Sequence, residues 1–289
     1  MKKKIKICLT CVGGRLMHDI IKAIRDADDY DVTIIGVDSD KNAAGRLLCD
    51  NFYIVPHSEV DPDGWLNRIY TLNKIENING LIAFSEGESR LVGGNRDFFE
   101  KLKIKLTISS NNLVQTLTDK FFLLSHLKDN GLDVGKFHSV DNINEFSSIA
   151  EKLDYPNKKI VFKPRFGRGS RGVLIADAKQ KEFKKLLPER FCGLGSIKAL
   201  QNECQEKNIA ISDYIAMPYY GGDVWDVDML SKNGVVINIA ARVRQFQNPL
   251  WPTTTGHKVS ADPRIINYAS KMSNIFNSLN SNGLMLQVI

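Results

Sequence analysis

The chain has 289 residues, of which 43% are hydrophobic and 25% are charged, and its formal net charge is +6. This is ordinary globular composition, and the length suits two or three structural units rather than a disordered or fibrous chain. The basic residues do not interleave with aromatic ones, and the first apolar stretch, 5–12, is too short for a signal peptide or a membrane span. We therefore expect a cytoplasmic protein with small anionic ligands and with no nucleic-acid or membrane partner.

Residues 4–115 alternate strand and helix patterns, which predicts a parallel doubly wound sheet. Strands are expected at 5–10, 32–37, 80–84 and 105–109, and helices at 17–26, 63–74 and 91–101. Gly13 and Gly14 follow the first strand as in a dinucleotide-binding turn, but the spaced third glycine of that motif is missing. A tight turn with a structural Asp38 is therefore favoured over nicotinamide binding.

From residue 116 the pattern changes, and helices and strands no longer alternate regularly. Helices are expected at 119–130, 143–153, near 182–187, 197–206 and 263–279. Strands are expected at 136–139, 160–163, 214–217, 223–231, 235–244 and 284–289. The Asn233-Gly234 pair between two of these strands is the strongest hairpin signal in the sequence.

The segment 161–173 joins a strand lysine to a glycine-rich loop. Lys163 has apolar neighbours, so its partial burial requires an anionic partner. The glycines allow backbone N–H groups to fold around an anion, and Arg165 and the arginines and serine of the loop add donors. The loop residues concerned are Gly167, Arg168, Gly169, Ser170, Arg171 and Gly172. A triphosphate fits this chemistry, and an ordinary basic hairpin loop is the alternative.

The order of these parts resembles the ATP-grasp superfamily, and most closely the large chain of carbamoyl-phosphate synthase and its stand-alone relatives. The resembling motifs are 36–39 with Asp50, 84–86, 118–120, 162–172, 217–219 and 225–228. The resemblance covers nearly the whole chain. It implies a mixed α/β and α+β architecture, with a Rossmann-like pre-ATP-grasp domain at 1–115, a linker helix and lid subdomain at 116–213, and a C-terminal ATP-grasp subdomain at 214–289.

The same resemblance implies ATP and Mg²⁺ as cofactors and assigns nucleotide-binding roles. Lys120 and Lys163 would contact the α- and β-phosphates, and residues 166–172 would close over the β- and γ-phosphates. Backbone groups of the hinge would bind the adenine edge, and the hinge residues are Met217, Pro218 and Tyr219. The family commonly has glutamates just before the aromatic residue of the hinge, where this chain has Met217 and Pro218. Pro218 has no N–H to donate to the adenine. Asp223 or Asp226 would bind the ribose hydroxyls.

For the reaction itself, the resemblance points to the end of the second hairpin strand. Arg242 and Arg244 would neutralise the transferring phosphoryl group or clamp a carboxylate, and a salt-bridged strand face is the alternative. Gln287 would face the magnesium ions. The family's next strand, which carries a metal-binding Glu and Asn, would follow Ile289, so we expect either a fragment of a longer protein or a chain without its main metal ligands.

The expected function is that of an ATP-dependent ligase. MgATP would phosphorylate a small-molecule carboxylate to an acyl phosphate, and an amine or similar nucleophile would then displace the phosphate. The first alternative is phosphorylation of bicarbonate or carbamate, as in carbamoyl-phosphate synthase. The second is a nucleotide-binding module without turnover. A homodimer is the candidate assembly.

Overall fold

A computed structural model describes residues 2–167, 169–188, 190–233, 235–245, 256–277, 279 and the backbone of 284–288. Residues up to Val114 form one compact unit, and Gln115–Leu279 form a second. Within the described residues, no helix has both the length and the apolar character that crossing a membrane requires.

The first unit is built on a parallel sheet of five strands, which we name sheet 1. Its strand order is β3-β2-β1-β4-β5, and every pairing is parallel. The strands are β1 (Lys3–Thr10), β2 (Tyr30–Asp38), β3 (Asn51–Ile54), β4 (Gly80–Ile82) and β5 (Lys105–Leu106). The helices are α1 (Met17–Arg25), α2 (Pro62–Glu76), α3 (Glu86–Gly94) and α4 (Arg96–Lys101). The predicted parallel sheet is confirmed.

Two details of this unit bear on the sequence analysis. The Gly13 N–H donates to the Asp38 carboxylate at 2.8 Å, so this aspartate fixes the turn after β1, as expected. The predicted helix at 91–101 is instead two helices, α3 and α4. They meet at Asn95, which is the C-cap of one and the N-cap of the other, and the helical run is broken there.

The second unit begins with α5 (Asn111–Thr118), which runs across the boundary, and contains a six-stranded sheet, sheet 2. Its strand order is β6-β11-β7-β8-β10-β9. The strands are β6 (His138–Val140), β7 (Ile160–Pro164), β8 (Leu174–Ala176), β9 (Lys184–Lys185), β10 (Gly193–Gly195) and β11 (Tyr214–Pro218). The helices of this part are α6 (Lys120–Asp129), α7 (Phe146–Lys152) and α8 (Ile197–Glu206).

The helix predicted near 182–187 is wrong, because Lys184–Lys185 form the edge strand β9. This strand runs antiparallel to Gly193–Gly195, and the Phe183 ring lies directly over Gly193, in the space that a Cβ would fill. A six-residue helical pattern is too short to be stable alone, so pairing with the sheet edge decides its conformation.

The second unit ends with sheet 3, whose strand order is β14-β13-β12-β15. The strands are β12 (Trp225–Lys232), β13 (Val235–Arg244), β14 (His257–Val259) and β15 (Leu284–Val288), and helix α9 (Pro263–Asn277) contacts β12 and β13. Strands β12 and β13 pair antiparallel and Asn233 has a φ of 52°, which confirms the hairpin, although Gly234 lies outside the described residues.

Candidate functional site

The two faces of sheet 2 have different chemistry. Phe162 and Ala216 lie in an apolar core with α7 and α8. Because side chains alternate along a strand, their sequence neighbours point to the opposite face. There, Lys163 pairs with Ile215 and Val161 pairs with Met217 across the β7–β11 ladder. One face of the sheet therefore packs on the apolar core, and the other places Lys163 beside the apolar side chains of Val161, Ile215 and Met217.

Lys163 is a partly buried cation without a described counter-ion. Burial, and then the nearby charge of Lys120, lower the pKa of its ammonium from 10.5 to about 8. Within the part of the chain that the structure describes, its ammonium has no hydrogen bond or ion pair. A cation held in this way gains most from a ligand that brings negative charge to it.

Lys120 approaches the same region from the start of α6. The preceding residue, Asp119, caps this helix by accepting from the N–H groups of Phe121 and Phe122 at 2.9 and 3.3 Å. The Lys120 ammonium donates to the carbonyl of Gly167 at 2.8 Å and to that of Arg165 at 3.1 Å. The predicted pair of lysines is thus brought together, with Lys120 also holding the beginning of the glycine-rich loop.

Arg165 has a different place from the anion-binding one expected from the sequence. Its guanidinium binds Asp119 through two hydrogen bonds of 3.1 and 2.6 Å and lies 5.1 Å from the Phe122 ring centroid. Burial alone would raise the pKa of Asp119, but Arg165 and the two capping N–H groups hold it below its usual range. Arg165 therefore fastens strand β7 to helix α6.

The glycine-rich loop depends on left-handed backbone conformations. Gly167, Gly169, Ser170 and Gly172 have φ values of 100°, 65°, 61° and 74°. At Gly172 a Cβ would lie 2.7 Å from the side chains of both Pro164 and Tyr214, so this glycine is also required by packing. Arg171 is exposed, and Arg168 lies outside the described residues. The roles of these residues toward a phosphate stay predictions.

The hinge after β11 departs from the expected backbone recognition. The Tyr219 N–H donates to the carbonyl of Lys159 at 2.8 Å, so it is not open to a ligand. Pro218 has no N–H, which leaves the N–H of Tyr220 as the next donor along the chain. This contact with Lys159 is non-local and has no signal in the sequence. Met217 lies on the Lys163 face.

Sheet 3 brings together the charged residues predicted at the ends of β12 and β13. Arg244 binds Asp226 through its Nε and Nη2 atoms at 2.8 and 2.7 Å, and His257 Nε2 lies 2.9 Å from the same carboxylate. Arg242 Nη2 lies 2.6 Å from Asp228. Because Asp226 already has two partners, it is the poorer candidate for ribose.

Asp223 keeps the ribose prediction open. Its residue is exposed, and in the described ranges its carboxylate forms no ion pair. A carboxylate in this situation can accept from two hydroxyl groups without first giving up a partner.

The described residues do not fit a magnesium ion. None of their His, Cys, Asp and Glu side chains form a group of three that could hold a metal. Asp226 and Asp228 are each already paired with an arginine. Gln287 lies in β15, and its side chain is outside the described part of the chain, so its predicted role is untested.

No protein-family model and no curated protein matches the sequence. Solved structures do match. The L-amino acid ligase from Bacillus licheniformis covers 96% of this chain with 11% identity and a TM-score of 0.61, and the chain spans only 61% of that ligase. The N5-carboxyaminoimidazole synthetase from Staphylococcus aureus, solved with ADP, covers 100% of this chain and 70% of its own, with 15% identity and a TM-score of 0.59.

A third match is the biotin carboxylase domain of the 2-oxoglutarate carboxylase from Hydrogenobacter thermophilus, solved with MgADP, ADP and bicarbonate. It covers 98% of this chain and 62% of its own, with 15% identity and a TM-score of 0.58. All three are ATP-grasp enzymes, and at this level of identity the likeness is one of fold. The chain therefore has the fold of the ATP-grasp ligases.

Proposed function

We propose that the chain binds ATP on the Lys163 face of sheet 2 and uses it as an ATP-dependent ligase. The observation that carries the proposal is Lys163 itself, a cation with a pKa of about 8, no described counter-ion and a second lysine beside it. The solved complexes of the Staphylococcus synthetase with ADP and of the Hydrogenobacter domain with MgADP support a nucleotide as the anionic partner of Lys163.

In this proposal the chain's own residues act by position and charge. Lys163 and Lys120 neutralise phosphate oxygens from two sides, and the glycine-rich loop, 166–172, turns its N–H groups toward them. The Tyr220 N–H replaces Tyr219 as the hinge donor to adenine, and Asp223 takes the ribose hydroxyls. Mg²⁺ supplies charge neutralisation between the phosphates in enzymes of this class, but the described residues do not fit it.

The proposed reaction activates a carboxylate. A carboxylate oxygen attacks the γ-phosphorus of ATP, the bond to the β,γ-bridging oxygen breaks, and ADP and an acyl phosphate form. An amine then attacks the acyl carbon, and inorganic phosphate leaves as the amide forms and the amine loses a proton. The Bacillus L-amino acid ligase, by its name, supports a carboxylate and an amine as the substrate classes.

Bicarbonate is the alternative acid, as in carbamoyl-phosphate synthase. The presence of bicarbonate in the Hydrogenobacter complex favours it. A second alternative is nucleotide binding without turnover, which is favoured by the pairing of both sheet-3 carboxylates with arginines. ADP release measured with bicarbonate, with amino acids, and with neither separates the three.

The binding step is tested by calorimetric titration of ADP and ATP into the wild type, Lys163→Met and Lys184→Met. Lys184 is exposed on the edge strand β9, so its variant controls for loss of a positive charge. We expect Lys163→Met to weaken binding by about 10- to 100-fold, the usual effect of losing a hydrogen bond to a charged group, and Lys184→Met to leave it unchanged. Equal affinity in the wild type and Lys163→Met would contradict the proposed site.

A further inference from the structure

The glycine-rich loop lies against a turn that comes later in the chain. This turn, 186–192, joins β9 to β10, and only residue 189 in it lies outside the described residues. The Leu186 N–H donates to the carbonyl of Cys192 across its base at 3.1 Å. Leu187 and Cys192 are both buried. The turn is therefore closed by a backbone hydrogen bond and anchored by a buried side chain near each end.

Two hydrogen bonds join the loop to this turn. The Gly172 N–H donates to the carbonyl of Phe191 at 2.6 Å. The Arg190 guanidinium donates through Nη1 to the carbonyl of Gly169. The last N–H group of the loop is thus already used, and the middle of the loop is held by a charged donor.

The middle of the loop needs such a contact. Gly169 and Ser170 are consecutive left-handed residues, with φ values of 65° and 61°. This conformation is unfavourable for a residue with a Cβ, so at Ser170 it persists only where the surroundings hold it. The Gly169 carbonyl belongs to the peptide group that joins the two residues. Because the C=O and N–H of a trans peptide point in opposite directions, the bond from Arg190 also fixes the direction of the Ser170 N–H.

The beginning of the loop is held separately, at the Lys163 face. The Lys120 ammonium donates to the carbonyl of Gly167 at 2.8 Å and lies close enough to Lys163 for the two charges to interact. The loop therefore starts beside Lys163, and the contact with Arg190 decides how its next turn is oriented.

We propose that Arg190 is a positioning residue of the nucleotide site, which sets the conformation of the glycine-rich loop so that the loop can bind phosphate oxygens. The inference rests on the proposed function and adds a residue that the sequence analysis did not indicate. Within the described part of the chain, the Arg190 side chain has no other hydrogen bond and no ion pair. Because the loop is proposed to close over the β- and γ-phosphates, Arg190 should matter for ATP and not for AMP.

The first test follows the ¹³C signal of the Gly169 carbonyl in the ligand-free full chain. A hydrogen bond polarises a carbonyl and moves this signal downfield, so Arg190→Met should move it upfield. Arg190→Lys keeps a charged donor and should give a smaller change of the same sign. The matched control is Lys185→Met, because Lys185 donates to the carbonyl of Pro188 at 2.7 Å, next to the same turn, and not to the loop. This control should leave the Gly169 signal unchanged.

The second test is calorimetric titration of AMP and ATP into the wild type, Arg190→Met and Lys185→Met. Arg190→Met should weaken ATP binding by about tenfold, the effect expected if the competent loop falls to about a tenth of the population. It should leave AMP binding unchanged. A general loss of structure in the second unit would instead weaken both nucleotides, so the ratio of the two affinities separates positioning from stability.

The failure of the inference and that of the proposed function are distinguishable. If the wild type binds ATP but Arg190→Met changes neither the Gly169 signal nor the ratio of affinities, the inference is wrong and the proposed function stands. The same holds if ATP moves the wild-type Gly169 signal upfield, because Arg190 would then have left the loop to bind the ligand itself. If the wild type binds no nucleotide, the proposed function fails, and the inference fails with it.

Discussion

Lys163→Met should make the protein more stable and less able to bind nucleotide. In the unfolded chain the lysine has a pKa of 10.5, and in the folded state burial and Lys120 lower it to about 8. At about 1.4 kcal/mol for each pKa unit, keeping this charge costs the folded state about 3 kcal/mol when no anion is bound. Replacing the ammonium by an apolar group of similar length removes that cost at neutral pH.

The sign of the effect depends on pH in a defined window. Below pH 8 both states of the wild type hold the proton, and the full penalty is present. Between about pH 8 and 10.5 the unfolded state binds more protons, so this group makes the wild type more stable as pH rises. The stability advantage of Lys163→Met should therefore fall from about 3 kcal/mol at pH 7 toward zero at pH 10.5.

Thermal unfolding of the ligand-free wild type, Lys163→Met and Lys184→Met at pH 7, 9 and 10.5 measures this advantage. The stability of Lys184→Met, whose lysine is exposed, should differ little from that of the wild type, and this difference should not fall between pH 7 and 10.5. A Lys163→Met variant less stable than the wild type at pH 7, or an advantage that stays constant with pH, would refute the reasoning.

Three further results are expected. Gly172→Ala should destabilise the second unit by about 2 kcal/mol or more, because the φ of Gly172 is 74° and an added Cβ would lie 2.7 Å from Pro164 and Tyr214. The control Gly221→Ala should be neutral, because its Cβ would meet nothing within 4 Å. Urea unfolding compares the stability of the two variants. Asp119→Asn should cost about 3 kcal/mol through loss of a buried ion pair, against little for Asp213→Asn, whose side chain is 61% exposed. Because the pKa of Asp119 is lowered, its contribution to folding stability should be present above the ordinary aspartate pKa and be lost as pH falls. The wild type and Asp119→Asn should therefore approach equal stability in acid. A stability difference that persists unchanged in acid would contradict this.

Local and periodic signals predicted much of the fold. Alternating strand and helix patterns gave the parallel sheet 1, and the helix at Ile197–Glu206 has the bounds expected from its apolar spacing. Where a segment is short, its partners decide the outcome, as at Lys184–Lys185, which pairs with a sheet edge instead of forming a helix.

The candidate site was predictable where chemistry is carried by single residues. Lys163 stood out because a lysine in an apolar strand requires an anion, and the structure gives it a lowered pKa and no described counter-ion. Partners distant in sequence were not predictable. Arg165 binds Asp119 across 46 residues, and the Tyr219 N–H donates to the Lys159 carbonyl, and the sequence indicated neither contact.

The central claim is that the partly buried Lys163 ammonium binds a phosphate group of the nucleotide. Calorimetric titration of ADP at pH 8, in buffers of different ionisation enthalpy, tests it most directly because it counts protons as well as affinity. About half of the Lys163 ammonium groups are neutral at this pH, so binding of the phosphates should take up about half a proton per nucleotide. This uptake should disappear in Lys163→Met and persist in Lys184→Met. Absence of binding, or binding with the same proton uptake in Lys163→Met as in the wild type, would contradict the account.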